Sequence, residues 1–557
     1  MFLLSEKKNL VEIRNLYLEI KGKLILNNIS FSFGYNEIIG VVGESGSGKS
    51  LIALTLIGLQ PEQSKIKAEK LNFLDSDLRS FTQKKWQKYR GSFQGMIFQE
   101  PQSSLNPTLK CGKQLIEVLN FNRKMSLNEK KGLIVDTLKE VQLLDANRIM
   151  NSYPHQLSGG QKQRIMIAMA LLCNPKLLIA DEPTTALDTT IQREILLLLR
   201  ALQKKYKMSI FFISHDLALI KQLADKVLVM RKGVVVESNN TKDLFINPQH
   251  EYTKGLISSR PRIDTRIEKL PTLNDYKKGN FKTKKVLTKT RRAHQKLIYS
   301  QRPILEIKNI RKSYSDKSFF GKREKYQVLN NITFSLYPGE ILGLVGESGC
   351  GKSTLAKTIV CLDIPDSGEI ILKGSKVNPK HKKQVRNLRK DVQFIFQDPY
   401  AALHPSKTVG NCIFEVLNVH YSNNKIKNHQ RIIDLLSKVG LTEEYINRYP
   451  HELSGGQRQR VIIARALAVD PKVLICDESV AALDISVQAQ VLNLLNDLKK
   501  NLGLSYLFIS HDLSIVKHMS DRIMIMREGD IIEIQEADDL YRNPKSNYTK
   551  KLIDAVL

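Results

Sequence analysis

The stretch GESGSGKS occupies residues 43–50, and the nearly identical GESGCGKS recurs at 346–353. Each copy follows an apolar run, EIIGVV in the first and EILGLV in the second, and precedes a segment of helical composition. A strand, a glycine-rich turn and a helix form a phosphate-binding loop, because glycine lets backbone N–H groups approach phosphate oxygens and a helix N-terminus favours an anion. The two copies therefore predict two nucleotide-phosphate sites in an α/β fold.

The residue types in both loops suit this chemistry. Lys49 and Lys352 can reach the terminal phosphates, and the hydroxyls of Ser50 and Ser353 can ligate Mg²⁺. The residues predicted to bind the nucleotide are Gly43, Glu44, Ser45, Gly46, Ser47, Gly48, Lys49 and Ser50, and then Gly346, Glu347, Ser348, Gly349, Cys350, Gly351, Lys352, Ser353 and Thr354.

The rest of the chain repeats in step with the loops. Further landmarks recur in the same order, 296 to 298 residues apart, against 303 for the loop lysines. They pair Gln99 with Gln397, Ser158 with Ser454, Asp181 with Asp477 and His215 with His511. This pattern indicates a tandem duplication of a whole domain. We predict a first domain over 1–259, a basic linker over 260–303 and a second domain over 304–557.

The linker concentrates the positive charge of this chain of 557 residues and formal net charge +30. Between Arg260 and Pro303, 14 Lys and Arg stand against three Asp and Glu. As a flexible chain it would span roughly 35 to 40 Å. Two interpretations stay open: the linker rests on an anionic membrane surface, or it is simply solvated.

Composition argues against export and against membrane spanning. The six cysteines show no paired or metal-ligand spacing, which is typical of free thiols in a reducing compartment. The N-terminus has only four apolar residues before charge begins, too few for a signal peptide. The longest apolar run falls well below the roughly 20 residues that cross a bilayer.

Two apolar runs end in paired acids, KLLIADEP at 176–183 and KVLICDES at 472–479. Such runs suit central parallel strands covered on both faces, whose carboxyl ends border the ligand crevice. Asp181 and Asp477 are expected to hold Mg²⁺ through water, and Glu182 and Glu478 to polarise the attacking water. The alternative is that each Asp-Glu pair is an ordinary helix N-cap without a role in catalysis.

The pentapeptide LSGGQ also occurs twice, each time before a helical segment. Ser and Gly at a helix N-terminus can bind an anion, although an ordinary capped helix has the same composition. The residues concerned are Leu157, Ser158, Gly159, Gly160 and Gln161, and then Leu453, Ser454, Gly455, Gly456 and Gln457.

The order of phosphate loop, Gln loop, LSGGQ, acidic strand, ALD and His resembles the ATP-binding cassette (ABC) ATPases, twice over. The resemblance implies two tandem P-loop ATPase domains, each a RecA-like core with a mixed sheet and an α-helical subdomain. It implies ATP and Mg²⁺ as ligands, with each ATP held between the phosphate loop of one domain and the LSGGQ of the other. Gln99 and Gln397 then sense Mg²⁺ and water, Asp188 and Asp484 make inter-domain contacts, and His215 and His511 contact the γ-phosphate.

The position expected to stack on adenine is aromatic in only one half. It is Tyr314 in the second domain and Ile20 in the first, with Tyr17 as a substitute if the loop shifts. This departure puts in doubt how tightly the first site binds the adenine base.

A narrower resemblance comes from FQEPQSSLNP and FQDPYAALHP, from YPHQLSGGQ and YPHELSGGQ, and from the tails NPQHEYTKGL and NPKSNYTKKL. These are similar to ATPases of bacterial oligopeptide, dipeptide and nickel importers, and most similar to the single-chain ATPases of microcin C and peptide importers. The resemblance implies two kinds of partner, two separate transmembrane permeases and a periplasmic or lipid-anchored binding protein. Residues near 99–107 and 397–405 would contact the permeases. The chain would then lie peripherally on the cytoplasmic face of the inner membrane.

One competing class is a soluble twin-cassette protein that acts on ribosomes or nucleic acid, which the basic linker mildly favours. The importer motifs in both halves argue against it, and no nucleic-acid partner is expected. A subunit that binds nucleotide without turnover conflicts with Glu182 and Glu478.

Overall fold

A computed structural model describes residues 9–99, 104–122, 125–185, 187–277, 284–317, 323–421, 425–481 and 483–555. The chain divides into two compact units, the first ending at Ile257 and the second beginning at Ser258. Each unit contains a six-stranded sheet, a smaller sheet and helices. The predicted fold, with two tandem P-loop ATPase domains built on mixed sheets, is confirmed.

The larger sheet of the first unit carries the phosphate loop near its centre. Neighbouring strands of this sheet are parallel, except that Val234–Asn240 runs antiparallel to Lys226–Arg231. The strand Leu177–Asp181 is buried along its whole length, as expected for a strand covered on both faces. The strand order is Val234–Asn240, Lys226–Arg231, Ile38–Gly43, Ser209–Ile213, Leu177–Asp181 and Gln94–Ile97.

The smaller sheet of the first unit is antiparallel. It consists of Lys23–Gly34, Asn9–Ile20, Lys70–Phe73 and Ser76–Asp77, with Ser64–Lys67 also paired to Asn9–Ile20. Among the described residues of this unit, α-helices include Lys49–Ile57, Gln83–Ser92, Cys111–Asn122, Leu127–Glu140, Ala146–Asn151, Gly159–Leu171, Thr189–Tyr206, Leu217–Leu223, Thr241–Ile246 and Glu251–Ser258.

The second unit repeats both sheets. Its larger sheet has the order Val392–Ile395, Val473–Asp477, Ser505–Ile509, Ile341–Val345, Arg522–Arg527 and Asp530–Glu536. Its smaller sheet has the order Arg323–Leu336, Leu305–Lys317, Ser367–Leu372 and Ser375–Val377. Its α-helices beyond the linker are Lys352–Ile359, Lys382–Asp391, Pro399–Ala402, Val409–His420, Lys425–Lys438, Gly455–Leu467, Ile485–Leu502, Leu513–Met519, Ala537–Arg542 and Asn547–Asp554.

The linker packs against the second unit over its described residues, 260–277 and 284–303. It contains the helices Leu273–Lys277 and Thr288–Tyr299. Leu270 is buried in the core of this unit, and its backbone N–H and C=O bond the Asn493 side chain at 2.8 and 2.7 Å. The expectation of a flexible chain is wrong for these residues, because apolar and polar anchors fix them to the cassette.

None of the helices within the described ranges combines the length and the apolar character needed to cross a bilayer.

Candidate ATP sites

Each phosphate loop joins a buried strand to a helix, as the sequence predicts. Gly48 has φ 97° and caps the helix Lys49–Ile57 without a side-chain hydrogen bond. A Cβ at Gly48 would lie 2.5 Å from Leu26, so both the backbone angle and the space require glycine. Gly351 caps its helix in the same way at φ 107°. The first-turn N–H groups of both helices therefore face the loop without a side-chain cap, as anion binding requires.

The loop lysines fold back over their own loops. Lys49 Nζ donates to the carbonyl oxygens of Gly43 and Glu44 at 2.8 and 2.9 Å. Lys352 Nζ makes the matching bonds to Gly346 and Glu347 at 2.7 and 2.9 Å. Both lysines are buried. Each ammonium group is therefore held at the centre of its loop, where a phosphate would meet it.

A serine and an aspartate meet behind each loop. Ser50 Oγ donates to Asp181 Oδ1 at 3.1 Å, and Ser353 is hydrogen-bonded to Asp477. Burial raises the pKa of both aspartates, although these serines oppose the shift. Asp477 Oδ1 is buried and has no hydrogen-bond partner. A hydroxyl beside a buried carboxylate with an unsatisfied oxygen is a donor set that suits Mg²⁺.

Glu182 follows Asp181 in a left-handed backbone conformation, φ 46°. Its carboxylate accepts hydrogen bonds from Gln99 Nε2 at 3.2 Å and Thr185 Oγ1 at 3.0 Å, and Oε2 lies 3.1 Å from His215 Nδ1. Burial alone would raise the pKa of Glu182, but hydrogen bonding with His215 and Thr185 outweighs it and lowers the pKa. The side chain is therefore an ionised carboxylate at neutral pH.

The second unit assembles the same group with one difference. Glu478 also has a positive φ, 47°, and accepts from Gln397 Nε2 at 2.7 Å, with His511 Nδ1 at 3.4 Å. Burial alone would raise the pKa of Glu478, but the interaction with His511 outweighs burial and lowers the pKa. Ala481 stands where the first unit has Thr185. Sequence reasoning missed this threonine, although its position three residues after Glu182 was a readable signal.

The LSGGQ segments begin the helices Gly159–Leu171 and Gly455–Leu467. Ser158 and Gln161 form a reciprocal capping box, and Ser454 and Gln457 repeat it. The structure thus shows the capped helix that sequence reasoning held as the alternative. A cap of this kind also orders the helix N-terminus, so it is compatible with anion binding by the same residues.

The glycines of these segments serve close packing. A Cβ at Gly456 would lie 2.3 Å from Val487, and one at Gly160 would lie 3.0 Å from Ile191. Asp188 and Asp484 are the N-cap residues of the neighbouring helices Thr189–Tyr206 and Ile485–Leu502.

The β-hairpins beside the two loops differ at the expected adenine position. Ile20 pairs with Lys23 in the first unit, whereas Tyr314 pairs with Tyr326 in the second. The Tyr314 hydroxyl donates to Asp363 at 2.7 Å, and burial with this carboxylate raises the pKa of Tyr314 to about 12. The two tyrosine rings lie 6.2 Å apart. The sequence reading missed Tyr326, which only cross-strand pairing brings to this position, while Tyr17 instead pairs with Lys67.

Family profiles match large parts of the chain, including both phosphate loops and both acidic strand ends. The ABC transporter profile matches residues 26–185 and 329–481, more than half of the chain. The chain therefore belongs to the ABC transporter family, and it is an ATPase. A profile of the oligopeptide/dipeptide transporter C-terminal region matches residues 236–284 and 532–557, which confirms the narrower resemblance to oligopeptide-type members.

Similar proteins span nearly the full length. The glutathione import ATP-binding protein GsiA of Pectobacterium atrosepticum is 41% identical over 570 residues, covering 100% of this chain and 90% of its own. GsiA of Escherichia coli (strain K12) is 40% identical, with coverage of 98% and 89%. Among solved structures, CbiO1 of Clostridium perfringens, part of the ABC transporter complex CbiONQ, is 28% identical with a TM-score of 0.39 over 44% of this chain and 92% of its own. The similarity to the GsiA proteins includes the linker as well as both cassettes.

Proposed function

We propose that the chain hydrolyses ATP to power the import of peptides or peptide-like compounds through separate permease subunits. The observation that carries the proposal is the group of Gln, Glu and His side chains that each unit builds beside its phosphate loop. The oligopeptide-type C-terminal regions and the similarity to glutathione importers support a small peptide as the cargo class. Glutathione and microcin-like compounds both belong to this class.

Two ATP sites follow if the units pair head to tail. One would combine residues 43–50 with Leu453–Gln457, and the other residues 346–353 with Leu157–Gln161. Asp188 and Asp484 would contact the opposite unit. Tyr314 would stack on the base at the second loop, where the first loop offers Ile20. We place this assembly at the cytoplasmic face of the inner membrane, with permeases and a binding protein as partners.

Mg²⁺ would be held by Ser50, Asp181 and Gln99 in the first unit, and by Ser353, Asp477 and Gln397 in the second. When bound, Mg²⁺ neutralises charge on the β- and γ-phosphates. The lysines also neutralise phosphate charge through their ammonium groups.

The glutamates supply the base. Glu182 and Glu478 are ionised because hydrogen bonds lower their pKa values. Each carboxylate accepts a proton from water. His215 or His511 orients the carboxylate and contacts the γ-phosphate. Loss of the γ-phosphate then removes the group that holds the units together, and the units part.

The Gln-loop regions would transmit this motion to the permeases. The predicted contact segment 99–107 includes residues 100–103, which lie outside the described residues. The linker arginines 266 and 291 are engaged with the second unit. The profiles and relatives that match the chain are those of transporters, so the alternative of a ribosome- or nucleic-acid-binding protein is not proposed.

Replacement of both Glu182 and Glu478 by Gln tests the proposal. The doubly substituted chain, isolated with its permeases from gently solubilised membranes, should bind ATP and lose turnover by at least about 100-fold. Asp145→Asn, at an exposed helix cap, is the matched control. Unchanged turnover would refute the role of the glutamates. Recovery of ribosomal proteins instead of polytopic permeases would refute the transport role.

A further inference from the structure

The tail segments NPQHEYTKGL and NPKSNYTKKL, at 247–256 and 543–552, bring a tyrosine to each phosphate loop. The hydroxyl oxygen of Tyr252 accepts the backbone N–H of Glu44 at 3.2 Å. The hydroxyl oxygen of Tyr548 accepts the backbone N–H of Glu347 at 3.4 Å. The contact forms independently in both units, between residues 208 and 201 positions apart in the chain. Because the same hydrogen bond recurs in both units, we attribute it to the tail motif that the units share.

Lysine and tyrosine hold opposite ends of one peptide group. The carbonyl of Gly43 and the N–H of Glu44 belong to the same peptide unit, and Lys49 Nζ donates to that carbonyl. In the second unit, Lys352 and Tyr548 hold the Gly346–Glu347 peptide in the same way. A peptide bonded at both ends cannot rotate without losing one of the bonds.

The far side of this peptide is closed by the neighbouring strand. A Cβ at Gly43 would lie 2.2 Å from the Met230 carbonyl oxygen, and one at Gly346 would lie 2.2 Å from that of Met526. The next residue of each strand covers the tyrosine: the Arg231 guanidinium lies 4.9 Å from the Tyr252 ring centre, and Arg527 lies 5.2 Å from the Tyr548 ring centre. Tyr252 is only 3% exposed.

A glutamate on the last strand of each larger sheet fixes the turn before the tail helix. Glu237 accepts the N–H groups of Gln249 and His250 at 2.8 and 3.0 Å. Glu533 accepts those of Lys545 and Ser546 at 2.9 and 3.2 Å, and also the Thr549 hydroxyl at 2.7 Å. The tail helices therefore start from a fixed point on the same sheet that carries the loop.

We propose that Tyr252 and Tyr548 are positioning residues, through which the oligopeptide-type C-terminal region holds the first peptide of each phosphate loop in its nucleotide-binding shape. This inference rests on the proposed role of the two loops in ATP binding. It gives a physical reason for the tyrosine of the tail motif, which bonds the loop, while the sheet glutamate accepts hydrogen bonds from the preceding turn in both units and from the Thr549 hydroxyl in the second.

Substitution of both tyrosines by Phe tests the inference, because it removes the hydroxyls and keeps the rings. In the full chain, the KM for ATP should rise about fivefold, the factor expected for the loss of one net hydrogen bond at each loop. The kcat should stay within about twofold, because the tyrosines do not touch Glu182 or Glu478. Tyr206→Phe is the matched control, since that hydroxyl bonds Glu140 at 2.5 Å rather than the loop.

Two further variants separate this inference from the proposed function. Lys49→Ala with Lys352→Ala should abolish binding of a fluorescent ATP analogue, and intact binding would refute the role of the loops themselves. If the lysine variants lose binding while the Tyr→Phe chain keeps the wild-type KM, the positioning role alone is refuted. A fall in kcat and thermal stability without a change in KM would also overturn it.

Discussion

Replacing Arg291 by Ala is expected to destabilise the second unit by about 3 kcal/mol. The Arg291 side chain is 7% exposed, and its guanidinium lies 2.5 Å from Glu536 and also contacts Asp538. It donates to the carbonyl oxygens of Ser520 and Asp521 at 3.1 Å each. Truncation would leave two carboxylates, 24% and 18% exposed, without this cation.

The magnitude follows from that exposure. Breaking a buried pair costs about 3 to 5 kcal/mol, and the partial access of both carboxylates to water places this case at the lower end. For a unit of this size the thermal midpoint should fall by about 6 to 12 °C. Arg292→Ala is the matched control, because that side chain is 65% exposed and lies 4.0 Å from Asp539. It should change stability by less than about 0.5 kcal/mol.

Calorimetry of the full chain measures the change, and tryptophan fluorescence assigns it. Trp86 is the only tryptophan and lies in the first unit, so its transition reports that unit alone. The Arg291 variant should lower the calorimetric transition of the second unit and leave the Trp86 transition in place. Equal effects of the Arg291 and Arg292 substitutions would refute the docked linker and restore the solvated interpretation.

The remaining predictions concern the differences between the two sites. Thr185→Ala removes a hydrogen bond that lowers the pKa of Glu182, so in a Glu478→Gln chain the acid limb of the kcat/KM profile for ATP should move to higher pH; an unchanged or lower limb would contradict the assignment. Ile20→Tyr should tighten binding of a fluorescent ATP analogue at the first loop by at least about 5-fold, since base–aromatic stacking contributes about 1 kcal/mol or more. Tyr314→Ala should weaken binding at the second loop, and Tyr17→Phe is the control.

The sequence predicts the phosphate loops well because their geometry is local. Gly48 and Gly351 adopt positive φ within a strand–turn–helix unit, and such angles can be inferred from residue type alone. Glu182 and Glu478 are also placed locally, at the ends of apolar strands. The meeting of Gln99, Glu182 and His215 required the family resemblance, because these residues come from separate strand ends.

The linker shows where composition misleads. Its arginines register in the sequence only as excess positive charge, whereas the carboxylates that receive Arg291 lie 245 and 247 residues further along the chain. The positions 296 residues before Glu536 and Asp538 carry Asn240 and Lys242. The equivalent positions of the first unit therefore carry no carboxylates that could pair with an arginine in the same way.

The sequence by itself determined the duplication, the two loops, the acidic strand ends and the helices that follow LSGGQ. These features depend on backbone angles, short spacings and periodicity, which neighbouring residues fix. Only the tertiary structure decided that Leu270 and Arg291 anchor the linker and that Tyr252 and Tyr548 reach the loops. Those contacts join residues about 200 or more positions apart, and they exist only because the packing of whole sheets and helices brings the side chains together.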